Sequence, residues 1–141
     1  MCVMTPKRIL VIDDDLDLLM LLERILQKED YEVETAVSLS EAQEIIPIFE
    51  PHLVLLDINV KGEDGRQLCW KLKNENETKG VNVLIMSGYD FDAGRAALFG
   101  ADDLLPKPLN TDFLLHRIEL YLFPHFHRDS NSSFSMDSGV K

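Results

Sequence analysis

Short apolar runs alternate along this chain with longer segments in which apolar residues recur every three or four positions. The short runs are typical of buried strands, and the longer segments are typical of amphipathic helices. Their alternation predicts βαβ units, in which helices join the strands of a parallel sheet. We therefore predict an α/β fold with strands at 8–12, 32–36, 53–56, 81–86 and 103–105.

Polar and apolar residues alternate in the second of these strands, which indicates an edge strand with one face in water. Asp15 is the expected N-cap of the first helix, and Asn110 that of the last. Ser40, with a glutamine three residues later, resembles a capping box that would start the second helix. Pro47 removes a backbone donor, so we expect that helix to kink or to end near Ile46.

The chain has 141 residues, which suits one domain, and its formal net charge is -11. This charge argues against a nucleic-acid surface or an anionic membrane as partner, because both require clustered Lys and Arg. Cys2 and Cys69 are far apart and form no C-x-x-C, so we expect neither a disulfide framework nor a zinc site, and we predict a cytoplasmic protein.

The two ends of the chain differ in composition from its centre. The first apolar run is too short for a signal peptide or a membrane span, and acidic residues interrupt it. The last segment is rich in serine and asparagine and has no periodicity, which is typical of a disordered tail or linker. We predict an N-terminal extension at 1–6, one domain at 7–123 and a polar tail at 124–141.

Polar residues that could do chemistry follow four of the predicted strands. In an open parallel sheet, ligands bind beyond the carboxyl ends of the strands. Asp13 and Asp14 follow the first strand, Asp57 the third, Ser87 the fourth, and Lys107 the fifth. Several carboxylates at one edge suit Mg²⁺, and a carboxylate can attack phosphorus to form an aspartyl phosphate. The sequence therefore predicts a magnesium and phosphoryl site.

Four segments in order, RILVIDDD, HLVLLDINVKGEDG, VLIMSGYD and GADDLLPKPL, resemble the signature segments of the response-regulator receiver domain, which acts in two-component signalling. The resemblance covers roughly residues 7 to 122. It implies a doubly wound, flavodoxin-like fold, in which five parallel strands in the order 2-1-3-4-5 are flanked by five helices.

The same resemblance implies a role for several residues of this chain. Asp57 would accept a phosphoryl group from a histidine kinase or a phosphotransfer protein. Asp14 would bind Mg²⁺ directly, Asp13 would act mainly through a water molecule, and the backbone carbonyl of Asn59 would be a further ligand. Lys107 would then pair with the bound phosphate.

Three more residues complete the implied site. Ser87 would move towards the phosphate once it is bound, and Gly88 would leave room beside it. The Lys107-Pro108 peptide bond is generally cis in this family, a geometry that proline makes accessible.

Two positions depart from the family pattern. Val60-Lys61 replaces the usual Met-Pro and places an extra positive charge beside the site. Leu104 replaces the aromatic residue that usually turns inward when the hydroxyl moves. We therefore hypothesise that Tyr89 and Phe91, or a shift of the fourth helix weakened by Gly94, transmit the signal instead.

The sequence therefore predicts a phosphorylation-dependent switch. We expect it not to be an enzyme and to present an altered surface to a downstream protein or output domain. A homodimer through the fourth and fifth helices is compatible with it. Two other functions stay open. One is a pseudo-receiver that binds partners without phosphorylation, and the other is a Mg²⁺-dependent phosphohydrolase that works through an aspartyl phosphate.

Overall fold

A computed structural model describes residues 5–88 and 99–124 of the chain. Seven strands and four helices lie in this part. The strands are β1 (Arg8–Ile12), β2 (Glu32–Ala36), β3 (Leu53–Asp57), β4 (Asn59–Val60), β5 (Glu63–Asp64), β6 (Asn82–Ser87) and β7 (Asp103–Pro106). The helices are α1 (Leu16–Lys28), α2 (Leu39–Phe49), α3 (Gly65–Asn74) and α4 (Thr111–Leu122).

Five of the strands form one sheet in the order β2-β1-β3-β6-β7, with every pair parallel. This arrangement confirms the predicted fold class, and β2 lies at an edge as its alternating pattern indicated. The two short strands β4 and β5 pair with each other as a separate antiparallel hairpin. The predicted fourth helix, which contains Gly94, lies outside the described residues.

The faces of the sheet are covered by different helices. Alternate residues of the central strands, among them Leu10, Val54 and Ile85, form one apolar cluster with the buried side chains of α2 and α3. The intervening strand residues, such as Val11 and Leu55, are also buried but lie outside that cluster. Helix α1 contacts β1 and β2. Because successive side chains of a strand point to opposite faces, α1 covers the other face.

The helix ends confirm two predictions and correct one. The side chain of Asp15 accepts hydrogen bonds from the N–H groups of residues 17 and 18, and that of Asn110 accepts one from residue 113. The cap of α2 is Ser38 and not Ser40. Ser38 Oγ accepts the N–H of Glu41 at 3.1 Å, and Glu41 Oε1 accepts the N–H of Val37 at 2.8 Å. A glutamate three residues beyond the cap can reach back in this way, so the box forms two residues earlier than expected.

Of the two outcomes expected at Pro47, a kink or an end near Ile46, the helix does not show the second. The helix continues to Phe49 with Pro47 inside it, and Glu50 then ends it in the left-handed conformation at φ 51°. Pro47 is the third residue from the end of the helix, so any distortion that it causes on its C-terminal side affects only the last two residues.

The contacts of the chain divide it into two compact units, and the boundary lies between Leu109 and Asn110. Every predicted site residue belongs to the first unit. Helix α4 belongs to the second, and its buried residues are Leu114, Ile118 and Leu122. Among the described residues, no helix is both long enough and apolar enough to cross a membrane.

Candidate functional site

Three carboxylates meet at the carboxyl edge of the sheet. Asp13 directly follows β1, and its N–H donates to the carbonyl of Ala36 at 3.1 Å, so its backbone extends the pairing of β1 with β2. Asp57 is the last residue of the neighbouring strand β3. One carboxylate oxygen from each of Asp13, Asp14 and Asp57 lies within 4.8 Å of the other two. The sheet thus brings together acids that are more than forty positions apart.

Asp13 is the most deeply buried of the three acids, with 1% of its surface exposed. Its Oδ1 accepts the N–H of Asp15 at 3.0 Å, and its Oδ2 accepts a hydrogen bond from Lys107 Nζ at 2.8 Å. Both oxygens therefore have a donor. A buried carboxylate without such partners would carry a large desolvation cost.

Asp57 is buried beside Asp13, and this raises the pKa of its carboxyl group. Burial is the main cause, and the negative charge of Asp13 adds to it. Lys107 and a hydrogen bond from the backbone N–H of Asn59 act in the opposite direction, and they offset only part of this rise in the pKa. The ammonium of Lys107 lies 3.4 Å from Asp57 Oδ1, so the same cation compensates both acids.

Lys107 reaches the acids from the end of β7. Its N–H donates to the carbonyl of Ser87 at 2.8 Å, which continues the pairing of β6 with β7. Burial alone would lower the pKa of Lys107, but its hydrogen bond to Asp13 and the charges of Asp13 and Asp57 outweigh burial and raise it. Ser87 is buried at the end of β6, and the Lys107–Pro108 peptide bond is cis.

Gly88 follows Ser87 and is exposed. A Cβ atom added to Gly88 would lie 4.0 Å from Cβ of Lys107, which is ordinary contact. The structure thus brings all the predicted residues at the ends of β1, β3, β6 and β7 to one edge of the sheet.

The hairpin β4–β5 positions the two predicted residues that follow β3. Asn59 begins the hairpin, and its Oδ1 accepts the N–H of Gly62 at 3.0 Å. Lys61 and Gly62 form the two-residue turn with φ values of 52° and 82°. Positive φ at both positions is typical of a type I′ turn, in which glycine is favoured. The N–H of Lys61 donates to Asp14 Oδ2 at 2.7 Å, a contact that sequence reasoning did not find.

Gly65 is a second residue that sequence reasoning missed. It begins α3, and its N–H donates to the carbonyl of Ile58 at 2.8 Å. A Cβ atom at this position would overlap the backbone carbonyl oxygen of Asp57. Only glycine therefore allows α3 to start this close to Asp57. A glycine eight positions after the predicted acceptor was the available signal.

Leu104 is buried, with 8% of its surface exposed, in the apolar cluster that the sheet shares with α2 and α3. This position, one of the two that depart from the family pattern, therefore contributes a core side chain. Tyr89 and Phe91, to which we assigned a role in transmission, lie outside the described residues.

The donor set at this edge fits a hard divalent cation. Three carboxylates can supply oxygen ligands, and Mg²⁺ typically takes one or two carboxylates with water and phosphate oxygens. No nitrogen or sulfur ligand belongs to this group of acids, which does not suit a site for zinc. The negative charge of the group would be partly neutralised by such an ion.

Comparisons with known proteins place the chain in one family. The sequence model of the family described as response regulator receiver domain matches residues 9–119. A response regulator signal receiver domain from Bermanella marisrubri is 34% identical and has a TM-score of 0.76, with 84% of this chain and 99% of that chain covered. A CheY-like receiver domain protein from Methanospirillum hungatei JF-1 is 30% identical, with a TM-score of 0.77 and coverage of 88% and 99%.

A third similar structure is a response regulator protein from Burkholderia pseudomallei with a phosphorylated aspartic acid, a calcium ion and citrate. It is 28% identical and has a TM-score of 0.71, with 77% of this chain and 64% of that chain covered. The family match spans more than half of the chain and agrees with the strand order of the sheet. The chain therefore belongs to the family of response regulator receiver domains.

Proposed function

We propose that this protein is a phosphorylation-dependent switch that accepts a phosphoryl group on Asp57. The observation that supports it best is the position of this carboxylate, beside two further acids and 3.4 Å from the ammonium of Lys107. Receiver domains act in signalling and interact with histidine kinases and output domains. The phosphorylated aspartic acid of the Burkholderia pseudomallei relative also supports an aspartyl phosphate in this chain.

The proposed donor is a phosphohistidine of a histidine kinase or a phosphotransfer protein. A carboxylate oxygen of Asp57 attacks the phosphorus atom, and a bond between this oxygen and phosphorus forms as the bond between phosphorus and the imidazole nitrogen breaks. The nitrogen keeps the electron pair of that bond and can take up a proton. Lys107 pairs with an oxygen of the transferred group, since its ammonium already lies beside the acceptor.

Receiver domains bind Mg²⁺ through a cluster of acidic residues, and Asp13, Asp14 and Asp57 form such a cluster. We assign the ion to these carboxylates and to the backbone carbonyl of Asn59. When bound, Mg²⁺ supplies positive charge that stabilises the transferring phosphoryl group. Asp13 and Asp57 contact the ammonium of Lys107, and these contacts do not require the ion.

Ser87 and Gly88 complete the proposal as the residues next to the phosphate. Ser87 is buried at the end of β6, and its carbonyl accepts a hydrogen bond from the N–H of Lys107. Movement of one of these residues therefore affects the other. A partner would recognise the surface that changes as a result. A cytoplasmic location and a homodimer through the fourth and fifth helices remain predictions from the sequence.

The test is incubation of the full chain with Mg²⁺ and acetyl phosphate, followed by measurement of the intact mass. We expect a mass increase of one phosphoryl group, no increase when EDTA is present, and no increase in the variant Asp57→Asn. The variant Asp30→Asn is the matched control, because it neutralises an exposed carboxylate in the turn after α1 and should be phosphorylated normally.

Three outcomes would contradict the proposal. A phosphoryl adduct that persists in Asp57→Asn would place the acceptor elsewhere, and the absence of any adduct on the wild-type chain would favour a pseudo-receiver. Rapid release of phosphate from phosphate esters over many turnovers would instead indicate a phosphohydrolase.

A further inference from the structure

Asp14 is held in a different way from the other two acids of the site. Asp13 and Asp57 are buried, and each lies beside the ammonium of Lys107. Asp14 is exposed. Within residues 5–88 and 99–124, its carboxylate accepts one hydrogen bond, which comes from the backbone N–H of Lys61 at 2.7 Å. The orientation of Asp14 therefore depends on the hairpin that carries Lys61.

The hairpin presents this N–H because of the conformation of its turn. Lys61 has a φ of 52°, and the following Gly62 has a φ of 82°. Asn59 Oδ1 accepts the N–H of Gly62 and stabilises the turn from inside. Proline at position 61 could not adopt this φ and has no N–H to donate. The departure from the family pattern at Lys61 therefore creates the hydrogen bond to Asp14.

Repulsion makes this hydrogen bond important. The carboxylate oxygens of Asp13, Asp14 and Asp57 lie within 4.8 Å of one another, and like charges at such distances repel. An exposed side chain without a partner would rotate into solvent to relieve this repulsion. A charge-assisted hydrogen bond of 2.7 Å opposes that rotation, and it leaves the second oxygen of Asp14 free of this bond.

We propose that Lys61 is a positioning residue of the cation site with two opposing effects. Its backbone N–H holds Asp14 in the acidic cluster and so strengthens the binding of a divalent cation. Its exposed ammonium repels the same cation and weakens binding. The inference rests on the proposed function, because it concerns the Mg²⁺ site of the switch.

The effects can be separated with two substitutions at position 61. Lys61→Gln removes the charge and keeps the N–H, whereas Lys61→Pro removes both and also excludes the positive φ of the turn. Mg²⁺ affinity is measured by calorimetric titration of the full chain at low ionic strength. Lys61→Gln should bind Mg²⁺ about twofold more tightly than wild type, because one exposed like charge is lost, and added salt should reduce this gain.

Lys61→Pro should bind Mg²⁺ roughly tenfold more weakly than Lys61→Gln, the magnitude typical of losing a group that orients a metal ligand. Lys79→Gln is the control, since it removes an exposed lysine charge from the segment that precedes β6. It should bind Mg²⁺ as wild type does. Equal affinities of Lys61→Pro and Lys61→Gln would overturn the inference.

A second measurement does not require the proline variant to fold. Hydrogen exchange of the Lys61 amide is followed by NMR in wild type and in Asp14→Ala, without metal and with Mg²⁺. We expect slow exchange in wild type under both conditions and exchange at least several-fold faster in Asp14→Ala. Equally fast exchange in the two proteins would also overturn the inference. Absence of Mg²⁺ binding by wild type would instead count against the proposed function itself.

Discussion

The ammonium of Lys107 donates a hydrogen bond of 2.8 Å to Asp13 Oδ2, although the two residues are separated by 94 positions in the chain. Asp13 has 1% of its surface exposed, and Lys107 has 24% of its side chain exposed. The pair therefore joins the end of a central strand to the end of an edge strand across the carboxyl edge of the sheet. The ammonium of Lys107 supplies the positive charge that the buried carboxylate of Asp13 needs in the absence of a metal ion.

Replacing this lysine should destabilise the fold. Lys107→Met keeps much of the aliphatic stem but leaves Asp13 buried without a cation, so we expect the free energy of unfolding to fall by roughly 3 kcal/mol. Denaturation in urea measures this free energy of unfolding. The control Lys79→Met changes an exposed lysine and should stay within about 0.5 kcal/mol of wild type. The double variant Lys107→Met with Asp13→Asn should recover part of the loss, and a Lys107→Met variant as stable as wild type would contradict this role.

Stability at mildly acidic pH should depend on His52. Its Nδ1 accepts the N–H of Arg8 at 3.0 Å, so the imidazole must be neutral to make this bond. Burial lowers the pKa of His52 below its ordinary value of 6.5, and the charges of Arg8 and Lys7 lower it further. The unfolded chain therefore binds a proton here at a higher pH than the folded chain.

The stabilisation from His52 is fully present above pH 6.5 and is lost as the pH falls through its lower folded-state pKa. His52→Asn offers an acceptor oxygen that does not titrate. Melting temperatures of the two proteins should converge as the pH falls from 8 towards 5, because only the wild type loses this contribution. Parallel melting curves over the whole range would refute the assignment.

Mg²⁺ should raise the melting temperature of the wild-type chain by a few degrees at a concentration on the order of 10 mM, because it binds the folded acidic cluster in preference to the unfolded chain. EDTA should reverse the shift. Asp14→Asn should lose most of it, whereas Glu44→Gln, an exposed acid of α2, should keep it. An equal shift in both variants would mean that the ion binds elsewhere.

Gly65→Ala should be far more harmful than the same change at Gly80. The added methyl group at Gly65 overlaps the carbonyl oxygen of Asp57, whereas no atom lies within 4 Å of a Cβ at Gly80. Since backbone must move to relieve the overlap, we expect a loss of about 3 kcal/mol at Gly65 and a change within about 0.5 kcal/mol at Gly80. Denaturant titration measures both, and equal stabilities would show that α3 shifts without cost.

The central strands β1, β3 and β6 could be predicted because each contains a continuous apolar run, and burial on both faces of a parallel sheet requires such runs. The second strand was identified as an edge strand because its alternation of Glu and apolar residues is incompatible with burial on both faces. Helix ends were harder to place. Ser38 and Ser40 are both good caps, and the two hydrogen bonds that Glu41 makes, to Ser38 Oγ and to the N–H of Val37, decide between them.

The carboxylates and the lysine of the site were found from the sequence because each lies within two residues of the end of a predicted strand, and parallel strands bring their carboxyl ends to one edge. The contacts of Lys61 and Gly65 could not be found in this way. Both involve backbone atoms. The N–H of Lys61 donates to Asp14 Oδ2, and the carbonyl oxygen of Asp57 lies where a Cβ atom at position 65 would be, so both contacts depend on the turn and helix that follow β3.

The amino-acid sequence by itself determined the α/β class, the run of buried strands and the identity of the acidic residues, because hydrophobic periodicity and residue type are local properties. Only the tertiary structure decided how the charges are compensated. Lys107 reaches Asp13 because β3 and β6 lie between β1 and β7 in the sheet, and all four strands end at the same edge. Lys61 reaches Asp14 because its turn adopts a positive φ. These contacts join positions distant in the chain, and their energies depend on distances that no local pattern contains.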